Sequence, residues 1–380
     1  MLKVLYVSAG AERGGVEVVL LNTVKSLDRS RFTPVVLFLR NGPFVREVEA
    51  TGTETHVIEA GRVRHVLRGT AAVARTVRLI RKEGIHLVHS HNAVAHIYGG
   101  MAALIAGVPS LFHLHGVPRP AASREGFLDL LSVVVPARRT LACSAYVAET
   151  FRRAWSSQRP VSVVHNGTLP DPMVGDVSSV RQELGIPETA RIVLMAARLQ
   201  RWKGVHVFVD AAAHVTRIHP EVRFVIVGGA LFGLEQNYPL QLRKQIERLK
   251  LNEVVQLVGH RADISRFYSA ADLVVHCSIE PEPFAMVILE ALAWAKPVIA
   301  SDSGGTSEIV EHEVTGLLVP PKDPEHLAQA ILALLEDPER GLQMGRAGAA
   351  RVRTYLTAER MTKQLEGIYT ELAGGALANV

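Results

Sequence analysis

The stretch CSIEPEPFAMVILEALAWAKPVIASDSGGTSEIV, Cys277 to Val310, alternates strand and helix patterns. Cys277 and Ser278 close an apolar run, Leu273–Val275, that reads as a parallel strand buried on both faces. A Pro-rich turn with two acids follows, Glu280-Pro281-Glu282-Pro283. Phe284, Val287, Ile288, Ala291 and Leu292 then recur at helical spacing, which predicts a helix over 284–295. A second apolar strand is expected at Pro297–Ala300, ending in Ser301-Asp302-Ser303-Gly304-Gly305, with a further helix starting near Thr306. Such a βαβα unit puts both strand-to-helix turns at one edge of the sheet, where open α/β folds bind ligands. Glu282 precedes the first helix and Glu290 lies in its second turn, so the two carboxylates do not share one helical face. Periodicity alone fits a solvated acidic turn before an ordinary amphipathic helix as well as it fits a binding site.

The same alternation spreads outward in both directions. Upstream, strands are expected at Lys3–Ser8, Pro34–Leu39, Glu54–Ile58, Leu87–Ser90, Ser110–Leu114, Arg139–Cys143 and Val161–His165. Helices fall between them, as at Val16–Leu27, His65–Lys82 and Ala95–Ala106. Residues 169–187 are rich in Pro, Gly, Asp and Ser and read as a linker. Beyond them come strands at Ile192–Ala197, Arg223–Val227, Val254–Val258 and Gly316–Val319, and a last helix near Thr357–Leu372. The pattern predicts two doubly wound parallel sheets.

Composition narrows the class. The chain has 380 residues, 48% hydrophobic and 21% charged, which suits a globular protein of two domains. No apolar run reaches the length of a membrane span, and residues 1–8 resemble a first strand more than a signal peptide. Two cysteines, Cys143 and Cys277, end separate strands, so a reducing cytoplasm is expected. The histidines show no metal-ligand spacing along the chain. Charge is uneven: up to Thr168 there are 21 Lys and Arg against 11 Asp and Glu, and beyond it 21 against 26. Within residues 64–82, Arg64, Arg68, Arg75, Arg78 and Lys82 fall in roughly 80° of helical arc, opposite Val66, Val73, Val77 and Ile80. That stripe is either a solvated face or a surface for anionic lipid headgroups.

Four turns carry candidate chemistry. Gly10-Ala-Glu-Arg-Gly14-Gly15 opens a helix, where backbone amides face a phosphate or simply make a tight turn. Arg198-Leu-Gln-Arg-Trp-Lys203-Gly204 puts cations at a strand's C-terminal edge, a pattern suited to a diphosphate and also to a basic loop. His89-Ser-His91 and His113-Leu-His115-Gly116 follow apolar strands, where a histidine is more often structural than catalytic.

Glu282-x7-Glu290, followed by Ala-Lys-Pro-Val-Ile-Ala-Ser-Asp and Gly304-Gly305-x-x-Glu308, resembles the signature of the GT-B retaining glycosyltransferases of family 4. The resemblance covers nearly the whole chain, through Gly14-Gly15, Val108-Pro109-x3-His113-x-His115-Gly116, Asn166-Gly167 and Arg198-x4-Lys203. Three places depart from the pattern: Ala285 and Ala295 stand where glycine is common, and Thr168-Leu169 replaces Val-Asp. The resemblance implies two Rossmann-like domains facing each other across a cleft. Residues 1–168 would be the acceptor domain, 169–187 the linker, 188–355 the nucleotide-sugar domain, and 356–380 a helix packing back on the first domain. It implies transfer of a sugar, with retention, from a nucleoside-diphosphate sugar such as a UDP-sugar to a hydroxyl acceptor, lipid-linked or a cell-surface glycan precursor.

Roles follow residue by residue from that resemblance. Arg198 and Lys203 neutralise the donor diphosphate, Glu290 accepts the ribose hydroxyls, and Glu282 lies by the sugar or β-phosphate. Backbone amides of Phe284, Ala285 and Met286 meet sugar hydroxyls or phosphate. Gly14 and Gly15 approach donor phosphate and acceptor, and His115 faces the donor sugar, with His113 next in line. No Asp-x-Asp occurs, so neither a metal nor another cofactor is expected. Cytoplasmic location is expected from the two cysteines; the basic first half fits either peripheral contact at the inner membrane face or a solvated face, and no nucleic-acid partner is expected. The alternatives are a nucleotide-sugar epimerase or a non-catalytic GT-B scaffold.

Overall fold

The structure, a computed structural model, describes residues 1–61, 65–119, 123–155, 160–169, 177–230 and 235–377. Strands and helices alternate strictly at first: β1 (Leu2–Ser8), α1 (Gly15–Ser26), β2 (Phe32–Phe38), α2 (Phe44–Glu49), β3 (Glu54–Val57), α3 (Val66–Glu83), β4 (Leu87–His91), α4 (Asn92–Ala106), β5 (Ser110–Leu114), α5 (Arg124–Val134), β6 (Arg139–Ala142), α6 (Ala145–Trp155) and β7 (Val161–Val163). Then come α7 (Val177–Leu184), β8 (Ile192–Ala196), α8 (Val205–Val215), β9 (Arg223–Val227), α9 (Tyr238–Arg248), β10 (Val255–Gly259), α10 (Ile264–Ala270), β11 (Leu273–His276), α11 (Met286–Ala293), β12 (Val298–Ser301) and β13 (Leu317–Val319). Three helices end the chain: α12 (Pro324–Glu336), α13 (Pro338–Tyr355) and α14 (Ala358–Leu377).

The chain forms two compact units, Met1–Gly167 with Ala358–Val380, and Thr168–Thr357. Unit 1 holds a seven-stranded parallel sheet in the order β3-β2-β1-β4-β5-β6-β7. β1, inside the sheet, shows why the apolar run predicts its place: Val4 to Val7 are fully buried, as a strand covered by helices on both faces requires. On one face α3 and α4 press Ala72, Val77, Ile80, Ala95 and Tyr98 onto Leu5, Val7, Val35 and Leu37. Each buried Val, Leu or Ile among them contributes about 1.5–3 kcal/mol of transfer free energy. α14 packs against α1 and β4, where its Glu366 accepts the Asp28 amide at 2.8 Å.

Unit 2 holds a six-stranded parallel sheet, β10-β9-β8-β11-β12-β13, over a core that includes Val193, Met195, Phe208, Phe224, Val275 and Ile299. In each sheet the strand order reverses at the middle, between β1 and β4 and between β8 and β11. Loops leaving those strands' C-terminal ends diverge there and leave a crevice.

Several expectations need correction. The helix expected near Thr306 is a single 3₁₀ turn, Gly305–Glu308. The helix expected over 284–295 runs only from Met286 to Ala293, because Ala285 is extended (φ −82°, ψ 101°) and Ala295 is left-handed (φ 53°). A non-glycine residue in that region costs about 1–2 kcal/mol, which explains why glycine is common at that position. Within the stretch read as linker, Val177–Leu184 is helical, with Val180 buried, while residues 170–176 lie outside the described residues. On α3, Arg68, Arg75, Arg78 and Lys82 are exposed and Val77 and Ile80 buried, and Arg64 lies outside the described residues.

Candidate active site

In unit 2 the site is built at the strand-order reversal. The loop after β8 carries Arg198 and a 3₁₀ turn, Arg201–Lys203, that ends at Gly204 with φ 73°. A Cβ on Gly204 would lie 1.9 Å from the Cys277 carbonyl oxygen, so only glycine lets this turn meet the end of β11. The Ile279 amide donates to the Trp202 carbonyl at 2.8 Å and closes the contact. That approach delivers Lys203 to Glu282: Nζ lies 2.5 Å from Oε2, with the side chains 11% and 8% exposed.

Glu282 is held by backbone as well. Its carbonyl accepts the Gly305 amide at 2.7 Å. A Cβ on Gly304 (φ 74°) would fall 2.3 Å from that same oxygen. Two further side chains reach the same carboxylate oxygen: the Ser278 hydroxyl donates to Oε2 at 2.9 Å, and His276 Nε2 stands 3.2 Å away. Burial opposes the charge on Glu282, but Lys203 and His276 outweigh it and hold the carboxyl well below the usual carboxylate range. Burial draws Lys203 down from the ordinary lysine value, against the pull of Glu282. Its ammonium also lies 4.0 Å from the centre of the Trp202 ring, with the Arg198 guanidinium 5.9 Å from that ring.

α11 starts just beyond Glu282, with Phe284, Ala285 and Met286 buried at its N-terminal end. Its second turn carries Glu290, half-buried, whose Oε2 accepts from the Tyr268 hydroxyl of α10 at 2.9 Å. Lys203 and Glu282 are thus directly paired, with Arg198 beside them over the same indole ring, and Glu290 is engaged by a residue that the motif does not contain.

In unit 1, Gly14 caps the N-terminus of α1 in an extended conformation and Gly15 is its exposed first residue. His115 follows β5, half-buried, with Nε2 3.0 Å from His91 Nδ1. His113 is fully buried, its Nδ1 3.2 Å from His89 Nε2, and His89 Nδ1 is 2.7 Å from the Tyr369 hydroxyl of α14. The register pairing His91 with His113 on adjacent strands lines up four imidazoles on one face of the sheet. Burial, reinforced for three of them by neighbouring histidines, pushes His89, His113 and His115 well below the ordinary histidine value and His91 down to about 3.

The histidines therefore do cluster, contrary to what their spacing suggests: His89, His91 and His113 each bring a nitrogen within 4.8 Å of the others. Their geometry is that of a stack. The His89 and His91 rings lie 4.4 Å apart at 22°, so their in-plane lone pairs run side by side, and both His89 nitrogens already have partners.

Sequence reasoning missed His276, Ser278 and Tyr268, and it named His91 without its contact to His115. A polar residue closing a buried apolar strand, as His276 does in Leu-Val-Val-His, was the available signal for the first. The alternate spacing of His89 and His91 beside His113 and His115 was the signal for the last.

Known proteins share this arrangement of sequence. The family pattern described as glycosyl transferases group 1 matches residues 176–351, and that of glycosyltransferase family 4 matches residues 13–171. A D-inositol 3-phosphate glycosyltransferase of Segniliparus rotundus is 31% identical over 77% of this chain and 68% of its own length. The chain is a GT-B glycosyltransferase of family 4. This glycosyltransferase is also similar to the alpha-maltose-1-phosphate synthase of Mycolicibacterium smegmatis, at 32% identity over 77% of this chain and 80% of that protein. Among solved structures, Anabaena Alr3699/HepE in complex with UDP and glucose is 30% identical, with a TM-score of 0.88 over 97% of this chain and all of that one. HepE has also been solved in complex with UDP-glucose. No helix among the described residues is long and apolar enough to cross a membrane.

Proposed function

We propose that this glycosyltransferase moves a sugar, with retention, from a UDP-sugar to a hydroxyl acceptor, using protein cations rather than a bound metal to stabilise the departing diphosphate. The observation that carries this reading is the buried Lys203–Glu282 pair beside Arg198 at the C-terminal edge of the unit 2 sheet. A lysine ammonium has three donors, so Lys203 keeps donors for phosphate oxygen while bound to Glu282. Arg198 adds a second cation, and the N-terminal amides of α11 at Phe284, Ala285 and Met286 add a helix dipole. The UDP and UDP-glucose complexes of HepE support uridine as the donor base.

Glu282 is a poor nucleophile and a poor base in this setting. One oxygen meets Lys203, Ser278 and His276, and the carboxyl is held ionised. That favours same-face displacement over a covalent glycosyl-enzyme. The bond between the anomeric carbon and the diphosphate oxygen breaks with its electron pair leaving on oxygen. The acceptor oxygen bonds to the same face of the anomeric carbon, and its proton passes to the departing phosphate. In this reading Glu290 binds the ribose hydroxyls, and Gly14, Gly15 and His115 keep the roles that the family resemblance implies for them.

The acceptor we propose is presented at an anionic membrane. Charge complementarity supports this: Arg68, Arg75, Arg78, Arg81 and Lys82 are exposed along α3. Leu67 on the same helix is 86% exposed, and Arg81 reaches the carbonyl of exposed Ile105 at the end of α4, beside exposed Leu104. Calorimetric titration with UDP tests the donor site. Arg198→Ala or Lys203→Ala should each weaken UDP by about 1–3 kcal/mol, the scale of a charge-assisted hydrogen bond. Unchanged affinity in both variants overturns the assignment.

A further inference from the structure

Glu290 does not stand alone. A glutamate on a helix has freely rotating χ angles, and an unrestrained carboxylate samples many planes. Accepting two vicinal hydroxyls at once requires one plane, because each ribose oxygen needs its own carboxylate lone pair. The Tyr268 hydroxyl supplies one such restraint, at 2.9 Å from Glu290 Oε2.

Tyr268 is itself held rigidly. It is 1% exposed. Burial and the facing carboxylate raise its pKa, which keeps the phenol protonated and therefore a donor. α10, which carries it, is tied at its start by Asp263, which accepts from Arg261 at 2.8 Å and from Arg266 at 2.6 Å. Arg266 also reaches Glu183 of α7 at 3.1 Å. At the other end of α10, Lys296 donates to the Ser269 carbonyl at 2.8 Å. The hydroxyl is a fixed point against which the Glu290 carboxylate is set.

We propose that Tyr268 is a positioning residue that sets the plane of the Glu290 carboxylate for the 2′,3′-diol of the donor nucleotide, so that preference for ribonucleotide over deoxyribonucleotide depends on this pair. The inference rests on the reading of Glu290 as the ribose ligand. Tyr268 does not touch the nucleotide; it acts through Glu290.

Competition calorimetry on the full chain with UDP, 2′-deoxy-UDP and 3′-deoxy-UDP separates the two claims. Wild type should prefer UDP over each deoxy analogue by about tenfold, the value of one hydrogen bond to a charged group. Tyr268→Phe keeps the buried ring and should reduce that preference to about threefold or less. In a Glu290→Gln background the preference is already low, and adding Tyr268→Phe should change it no further. A preference in Tyr268→Phe equal to that of wild type overturns the positioning role while leaving Glu290 as ribose ligand. A wild type that does not discriminate at all overturns the Glu290 reading and this inference with it. Thermal melting of each variant accompanies the titrations. If Tyr268→Phe does not fold, Tyr268→Leu, which also carries no donor, serves as the second variant, and a full wild-type preference there overturns the role equally.

Discussion

Lowering the pH from 7.5 to 5 should destabilise unit 1 through its imidazole column. His89, His91 and His113 are fully buried, and the pKa of each is pushed down by burial, His91 to about 3. A histidine whose folded pKa is depressed contributes its full share of stability above the unfolded value of about 6.5 and loses it as pH falls from there towards the folded value. At pH 5 the unfolded chain binds a proton at His91 and the folded unit does not, and His89 and His113 are shifted in the same direction. The gap of about 1.5 pH units costs about 2 kcal/mol for His91 alone, and the two other buried histidines add to it. His115, half-buried and shifted in the same direction, adds to this. Even the His91 share is a sizeable part of a typical domain's stability, about 5–15 kcal/mol. Carboxylates titrate lower, so the window from 6.5 to 5 isolates the histidines. Urea unfolding followed by hydrogen exchange resolves unit 1 from unit 2, and calorimetry in buffers of different ionisation enthalpy counts protons. The expected result is uptake of at least one proton on unfolding unit 1 at pH 5. Uptake below one proton, or a stability unchanged between pH 7 and 5, would refute the neutral buried column.

Three further perturbations bear on the rest of the molecule. Glu282→Gln leaves Lys203 buried without its counter-charge, so unit 2 should lose about 3–5 kcal/mol and melt at least several degrees lower; adding Lys203→Met should recover part of that loss, and additive effects in the double variant would mean the pair is not coupled. Ala295→Gly relieves the left-handed φ and should raise stability by about 0.5–1 kcal/mol after the entropy cost of glycine, measured by urea unfolding; a destabilised variant contradicts the strain. Wild type should sediment with anionic but not neutral vesicles at low salt, each exposed cation on α3 contributing about 1 kcal/mol, and the triple change of Arg68, Arg75 and Arg78 to Glu should abolish it; no sedimentation of wild type removes the membrane reading.

The elements were legible because their cause is local. Parallel strands buried on both faces are apolar runs, and Ser110–Leu114 and Arg223–Val227 occupy the positions that their composition predicts. Glycine turns and acid spacing mark the loops at the sheet edge. What stayed hidden depends on contacts across long separations. Lys203 meets Glu282 only because Gly204 allows the β8 loop to touch the end of β11, and no spacing within either motif encodes that approach. Tyr268 reaches Glu290 from another helix. The imidazole column needs the register of β4 against β5, which sets four histidines on one face although no two are closer in sequence than alternate residues. α7 escaped notice because Pro, Gly, Asp and Ser just before it obscured the short period of Val177, Val180 and Leu184.

Transfer itself remains the most direct test of the central claim. Wild-type protein incubated with UDP-glucose labelled at the anomeric carbon and a library of hydroxyl acceptors should release UDP only when an acceptor is present. The label should appear in a glycoside whose anomeric coupling, read by NMR, shows the donor's α configuration, and the same mixture with Glu282→Gln should turn over far more slowly. A β-configured product would contradict retention, and UDP release at the same rate with or without acceptor, or epimerised donor in place of a glycoside, would contradict the transferase account.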